Sequence, residues 1–230
     1  MDTQSEHNPS SERVHIPVDR VMIEGDLLLS PSARAVIVCP EGIGDEVIRS
    51  ASHGLAESLQ NPQFATLSIR LLTKEEADLD ARTEAMRFDV DLLSRRLTAV
   101  TWWLKDQSQT AKLPIGYFAV STAAAAALLS AADTSELVDA IVAVDGRPDL
   151  AGTALNQVIA PTLLVVTQGG RELLQHNEAA LAALSAEKKL ECVPGMQSLT
   201  AADGIGRVLE FTKSWFKTYL LGDRGETRAA

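Results

Sequence analysis

Ser121 is the residue of this chain best placed for covalent chemistry. It lies in Ala119-Val120-Ser121-Thr122-Ala123, where the apolar run Ile115 to Val120 gives way to an alanine-rich helical stretch. A serine at a strand-to-helix bend presents its hydroxyl outward, and once a neighbouring base takes its proton that hydroxyl attacks acyl carbons. Serine is also among the best residues for capping a helix start. The residues alone leave both roles open.

Three other segments can carry chemistry for the same reason: each follows an apolar run of the kind that forms a buried strand. They are Pro40-Glu41-Gly42-Ile43-Gly44-Asp45, Gln168-Gly169-Gly170-Arg171-Glu172 and Pro194-Gly195-Met196-Gln197-Ser198. In open α/β sheets, ligands gather at the carboxyl ends of the strands, which is where these segments fall.

The elements that position them are legible from the spacing of apolar residues. Val14 to Val18 and Val21 to Leu29 flank the short turn Asp19-Arg20 and predict an antiparallel hairpin. Buried strands are expected at Ala35 to Cys39, Ala65 to Ile69, Ile115 to Val120, Ala140 to Val144, Thr162 to Thr167 and Leu190 to Val193. Helical stripes alternate with them. Met86, Val90, Leu93, Leu97, Val100 and Leu104 define one, and Ile205, Val208, Leu209, Thr212, Trp215, Phe216, Tyr219 and Leu220 define a closing helix. Further helices are expected near Val47 to Gln60, Thr122 to Ala132 and Leu173 to Ala186. The fold class is therefore α/β, with about eight strands in a mostly parallel sheet and helices on both faces.

Length and composition bound the rest. A chain of 230 residues fits one α/β domain, expected over 12–221, with polar tails at 1–11 and 222–230. The net charge of -10 disfavours nucleic acid as a partner. The basic doublets Arg95-Arg96 and Lys188-Lys189 read as a solvated helix face and a strand start. Cys39 and Cys192 read as buried thiols without zinc-site or disulfide spacing. The polar amino terminus has no signal pattern, and the longest apolar run, Ala123 to Leu129, is too short for a membrane span, so a cytoplasmic location is expected. Adjacent Trp102 and Trp103 cannot share one buried stripe, so one is expected to face outward, and a homo-oligomer is one reading of that.

In Leu71-Leu72-Thr73 with the acidic stretch after it, Arg87-Phe88-Asp89, Pro114-Ile115-Gly116-Tyr117-Phe118, Gly146-Arg147-Pro148-Asp149-Leu150-Ala151-Gly152 and Val193-Pro194-Gly195, the chain resembles the α/β hydrolases, and within them the dienelactone-hydrolase-like group. The resemblance runs from about Arg13 to Leu220. It implies that Ser121 holds the nucleophile position, with Ala119 and Ala123 in place of the usual flanking glycines. It implies an oxyanion site made by Glu41, Gly42 and the backbone of Thr122. No cofactor is implied.

The resemblance also marks what is altered. The histidine of such a triad follows the last strand, and Ser198 occupies that place here. Gly170 stands at the aspartate position, with Glu172 two residues on as a substitute acid. The four histidines are His7, His15, His53 and His176, all before that last loop. Glu41 and Asp45 bring negative charge toward an oxyanion site, which works against acyl transfer. Three readings follow. The first is a catalytically degraded pseudo-hydrolase that binds a small molecule or a protein partner. The second is a serine hydrolase of small esters or lactones in which His176, Glu41, Lys74 or a water held by Glu172 replaces the missing base. The third, a cation held by Glu41, Asp45 and Glu172, has the weakest support, because scattered carboxylates lack a metal-loop pattern. Lys74 lies in the charged run Lys74-Glu75-Glu76, which reads as a solvated face.

Overall fold

The computed structural model describes residues 10–41, 46–168, 170–196 and 202–222. An eight-stranded sheet runs through its centre in the order β1-β2-β4-β3-β5-β6-β7-β8. The strands are β1 (Ser10–Val18), β2 (Val21–Leu29), β3 (Ala35–Pro40), β4 (Phe64–Ile69), β5 (Ile115–Val120), β6 (Ala140–Val144), β7 (Thr162–Gln168) and β8 (Lys188–Met196). β1 and β2 form the expected antiparallel hairpin, and β2 joins β4 antiparallel. Every pairing from β4 across to β8 is parallel. β1 begins at Ser10, earlier than its apolar pattern suggests, because its first residues pair with the end of β2 without burying a side chain.

The helices are α1 (Glu46–Leu59), α2 (Lys74–Thr83), α3 (Val90–Asp106), α4 (Ala123–Asp133), α5 (Arg171–Ala183) and α6 (Ala202–Leu220). α1 and α6 cover one face of the sheet, where Leu55, Leu59, Val208, Phe216 and Leu220 meet β-strand residues such as Ile37, Phe118 and Val142. α3, α4 and α5 cover the other, with Leu93, Leu97, Val100, Leu128 and Ala180 against Val36, Tyr117 and Ile141. Burying an aliphatic side chain of this size contributes about 2 kcal/mol, so each layer is held chiefly by apolar contact. Gly116 lets α6 approach the sheet closely, since a β-carbon there would stand 2.8 Å from Leu220 and 2.9 Å from Phe216.

Local chemistry moves several element ends away from the apolar pattern. α3 starts at Val90 rather than Met86 because the Asp89 carboxylate accepts from the Leu92 amide at 2.9 Å and fixes the cap there, leaving Met86–Phe88 as a short 3-10 turn. Pro148–Gln157 is likewise 3-10, kinked at Gly152. α2 is a helix with almost no apolar face. It is held by a capping box, in which the Glu76 amide donates to Thr73 Oγ1 and the Thr73 amide donates to the Glu76 carboxylate.

Three surface expectations are corrected. Arg96 is buried rather than solvated, because its guanidinium reaches inward to Glu76 and to the Leu71 carbonyl. Glu76 is accordingly a partner in that pair rather than part of a solvated run. Cys192 is exposed because β8 lies at the edge of the sheet, whereas Cys39 is buried and burial pushes its thiol pKa up. Trp102 faces outward and Trp103 packs against the core, as their adjacency requires. No helix among the described residues is long and apolar enough to cross a membrane.

Candidate active site

β5 ends at Val120 and α4 begins at Ala123, leaving two residues to reverse the chain. Ser121 makes that reversal with φ of 58°, in the left-handed region. A non-glycine residue held there costs about 1–2 kcal/mol and persists only where its surroundings over-determine it. Here they do. The Ser121 amide donates to the Val144 carbonyl at 3.0 Å, continuing the β5–β6 ladder, and the Ser121 carbonyl accepts from Ala124 at 3.1 Å.

Small residues let the bend close. Ala119 and Ala123 are fully buried, and so are Ala124 to Ala127 along α4. Gly146 presses against the start of that helix: a β-carbon on it would lie 2.4 Å from the Ala124 side chain and 3.3 Å from the Ser121 carbonyl oxygen. Ser121 is not the cap of α4. Thr122 holds that position, and it makes no side-chain capping bond. The strained, half-buried Ser121 thus adopts the geometry of a nucleophile turn rather than that of a capping serine.

Thr122 has a further property. Its hydroxyl is buried and without a hydrogen-bond partner. The residue's amide lies at the amino end of α4, where backbone N–H groups and the helix dipole favour a negative or partly negative oxygen.

Glu41 follows β3, half-buried, with its amide donating to the Ile69 carbonyl at 2.8 Å. Gly42 and Asp45, the rest of the expected oxyanion loop, lie outside the described residues, and so does Ser198. Gly170 is the exposed first residue before α5, in extended conformation. Glu172 does not turn inward, since its side chain is 87% exposed. Lys74 opens α2 at the rim of a groove of about 700 Å³ that also touches Met22, Glu24, Arg70 and Asp78 and is not lined by Ser121.

The described histidines are placed elsewhere, and His7 lies outside the described residues. His15 is exposed on β1, and His53 is exposed on α1 beside Glu57. His176 on α5 is more constrained than a free surface imidazole. Its Nδ1 lies 3.3 Å from the Asp149 carboxylate, and its buried Nε2 makes no hydrogen bond, with Glu172 at 3.5 Å. Asp149 is held in turn by a two-point contact from Arg147, at 2.9 and 2.8 Å. That bond, with the charges of Arg147 and His176, keeps the Asp149 carboxyl below its usual range, and the same bond raises Arg147. Among the described residues, no side chain hydrogen-bonds to the Ser121 hydroxyl, and no group of three or more His, Cys, Asp or Glu side chains is placed to hold a metal ion.

Asp145 escapes a reading based on the triad positions alone. It follows β6 directly, adopts φ of 45°, and accepts from both the amide of Thr167, at 2.7 Å, and its hydroxyl. It therefore ties the carboxyl end of β6 to that of β7, one residue from the carbonyl that holds Ser121. The rule that pointed to the other segments, inspection of the residue after each strand, also covers this one.

On the opposite flank, Arg96 on α3 donates to both Glu76 oxygens at 2.6 and 2.7 Å and to the Leu71 carbonyl at 2.7 Å. The bond from Arg96 holds the Glu76 carboxyl below its usual range. At the far end of α2, burial alone would raise the Asp80 carboxyl, but hydrogen bonds from the Arg87 backbone and side chain and from Met86 hold it low. These two contacts fix the segment after β4.

No family model matches the chain. Among solved structures, a dienelactone hydrolase from Anabaena variabilis is 38% identical, with a TM-score of 0.87 over 93% of this chain and all of that one. Est1E from Butyrivibrio proteoclasticus (14% identical, TM-score 0.72, 91% of this chain and 98% of that one) shares the fold. So does a dienelactone hydrolase-like promiscuous phosphotriesterase from metagenomic libraries (16% identical, TM-score 0.67, 92% of this chain and 99% of that one). Two Mycobacterium tuberculosis proteins that carry a phosphoribosyl transferase name are 40% identical over 214 residues, 92% of this chain. The chain spans about half the length of these curated relatives, 47%. With the Anabaena dienelactone hydrolase 38% identical over its full length and the serine turn in place, the chain belongs to the dienelactone hydrolase family of α/β hydrolases.

Proposed function

We propose that this domain is a catalytically reduced dienelactone hydrolase, which binds a small ester, lactone or related acyl compound over Ser121 without histidine-assisted turnover. The observation that carries this reading is the location of the imidazoles. His15 and His53 stand in solvent on β1 and α1, and no described imidazole, His176 included, hydrogen-bonds to the Ser121 hydroxyl. The segment after β8, where a triad histidine would sit, has Ser198 instead. An unactivated hydroxyl is a poor nucleophile, and loss of the base typically costs several orders of magnitude in rate. The turn still offers a ligand the Thr122 amide at the start of α4, and binding needs no proton transfer.

A second reading, turnover of small esters by Ser121 with a different base, is favoured by one observation: the strained φ of 58° is retained at a serine, with no glycine in its place. The family supports hydrolase chemistry in general. Phosphoribosyl transfer is named for proteins of which this chain covers less than half, and the serine turn argues for acyl chemistry over the part that it covers.

Assay with short-chain acyl esters, alongside the Ser121→Ala variant, separates the two readings. The proposal expects equal background hydrolysis by both proteins and no labelling of Ser121 by a fluorophosphonate. Hydrolysis that disappears in Ser121→Ala would establish the second reading instead.

A further inference from the structure

β8 ends the sheet, bonded to β7 on one side and to no described strand on the other. The Thr162 amide donates to the Glu187 carbonyl, so the odd-numbered backbone groups of this strand face β7. Those of Lys188, Leu190 and Cys192 therefore face outward, an open row of donors and acceptors of the kind that recruits another strand. The opposite edge, β1, is guarded by Pro17, which has no N–H, and by exposed Glu12, Arg13 and His15. β8 has two lysines, but neither stands guard. Lys188 folds back to donate to the Leu184 carbonyl at 2.5 Å, and Lys189 pairs with Glu191 at 2.6 Å.

We propose that β8 is a homodimer interface, in which two copies of this chain pair their β8 strands antiparallel about a two-fold axis at Leu190, continuing the sheet from one protomer into the next. The register follows from charge complementarity. Centred on Leu190, the strand sets Lys189 opposite the partner's Glu191 and Glu191 opposite the partner's Lys189, while the outward groups of Lys188, Leu190 and Cys192 meet their counterparts. Centring on Lys189 or on Glu191 opposes like charges, which destabilises a cross-strand pair. Half-buried Leu190 meets the partner's Leu190 on the α5 side of the sheet. On the other side α6 borders the seam, where Phe211, Trp215 and Tyr219 line a groove of about 140 Å³ against Lys189 and Glu191. Half-exposed aromatics of this sort are enriched at protein interfaces.

Light scattering on the full chain tests the state, and two variants test the surface. The wild type is expected to be a dimer. Leu190→Cys, in a Cys192→Ser background, is expected to give a disulfide-linked dimer under mild oxidation, because directly opposed residues of a hydrogen-bonded antiparallel pair lie about 5.5 Å apart at Cα, within disulfide range. Glu191→Lys sets four lysines together, and it is expected to weaken the dimer at least about tenfold. The double change Lys189→Glu with Glu191→Lys restores the dimer, and far-UV circular dichroism confirms that each variant is folded. A wild type that stays monomeric up to its solubility limit overturns the proposal. So does a dimer that Glu191→Lys leaves intact and that Leu190→Cys fails to cross-link.

Discussion

Gly146 and Ala124 approach each other so closely that the loop after β6 and the first turn of α4 have no room for a single added carbon. A β-carbon on Gly146 would stand 2.4 Å from that of Ala124 and 3.3 Å from the Ser121 carbonyl. Gly146→Ala must therefore displace α4 or the serine turn. Overpacking of a tight core contact costs about 1–3 kcal/mol, and the expected result is a loss of that size in urea unfolding, together with weaker ligand binding at Ser121. A variant as stable as the wild type would show that the contact yields freely.

Ser121 offers the opposite exchange. Glycine at this position removes the left-handed strain but frees the unfolded chain, two effects of similar size, each about 1 kcal/mol. Ser121→Gly is expected to be within about 1 kcal/mol of the wild type, whereas Ser121→Val, β-branched in the same conformation, is expected to be less stable by about 2 kcal/mol or more. Thermal unfolding of the two variants checks the order.

Arg96 ties the segment after β4 to α3. With 4% exposure, it joins the Glu76 carboxylate and the Leu71 carbonyl. Arg96→Ala leaves a carboxylate without its cation and a carbonyl without its donor, an outcome that costs about 3 kcal/mol for a buried pair. Glu76→Gln keeps the shape and some of the hydrogen bonds, so its loss is expected to be smaller. Equal losses in denaturant unfolding would place the contribution in packing alone.

Glu76, Asp80 and Asp149 all have carboxyl groups held below their usual range in the folded protein. A depressed folded-state pKa means that the unfolded chain takes up protons first, so each group's contribution is complete above the ordinary carboxylate range, near pH 4. It is lost as the pH falls through the lower folded value. Stability is expected to be flat with respect to these groups near neutrality and to fall steeply below about pH 4. Asp80→Asn is expected to flatten that acid limb, as read from unfolding midpoints at several pH values.

The strands were the most legible part of the sequence. Short β-branched runs such as Ala140–Val144 lie buried on both faces, and only a central parallel strand tolerates that pattern. α2 was hidden, because Lys74–Thr83 has no apolar period and is held by the Thr73–Glu76 box and by Arg96, twenty residues away. The position of Ser121 could be read from the boundary between strand and helix. Its left-handed conformation could not, since it depends on Val144 across the ladder and on the close approach of Gly146. Asp145 is illegible for a related reason: its bonds to Thr167 join the ends of two strands and depend on their pairing. The pairing of His176 with Asp149 likewise needs α5 folded against the 148–157 segment.

The unequal surroundings of the two cysteines make this chain convenient to instrument. Cys39 is sealed inside β3, where burial disfavours its thiolate, and Cys192 lies open on the outer strand. A maleimide dye added to the native protein should stop at one equivalent, marking Cys192 without any engineering. Its emission would then report directly on whatever comes to rest along that rim.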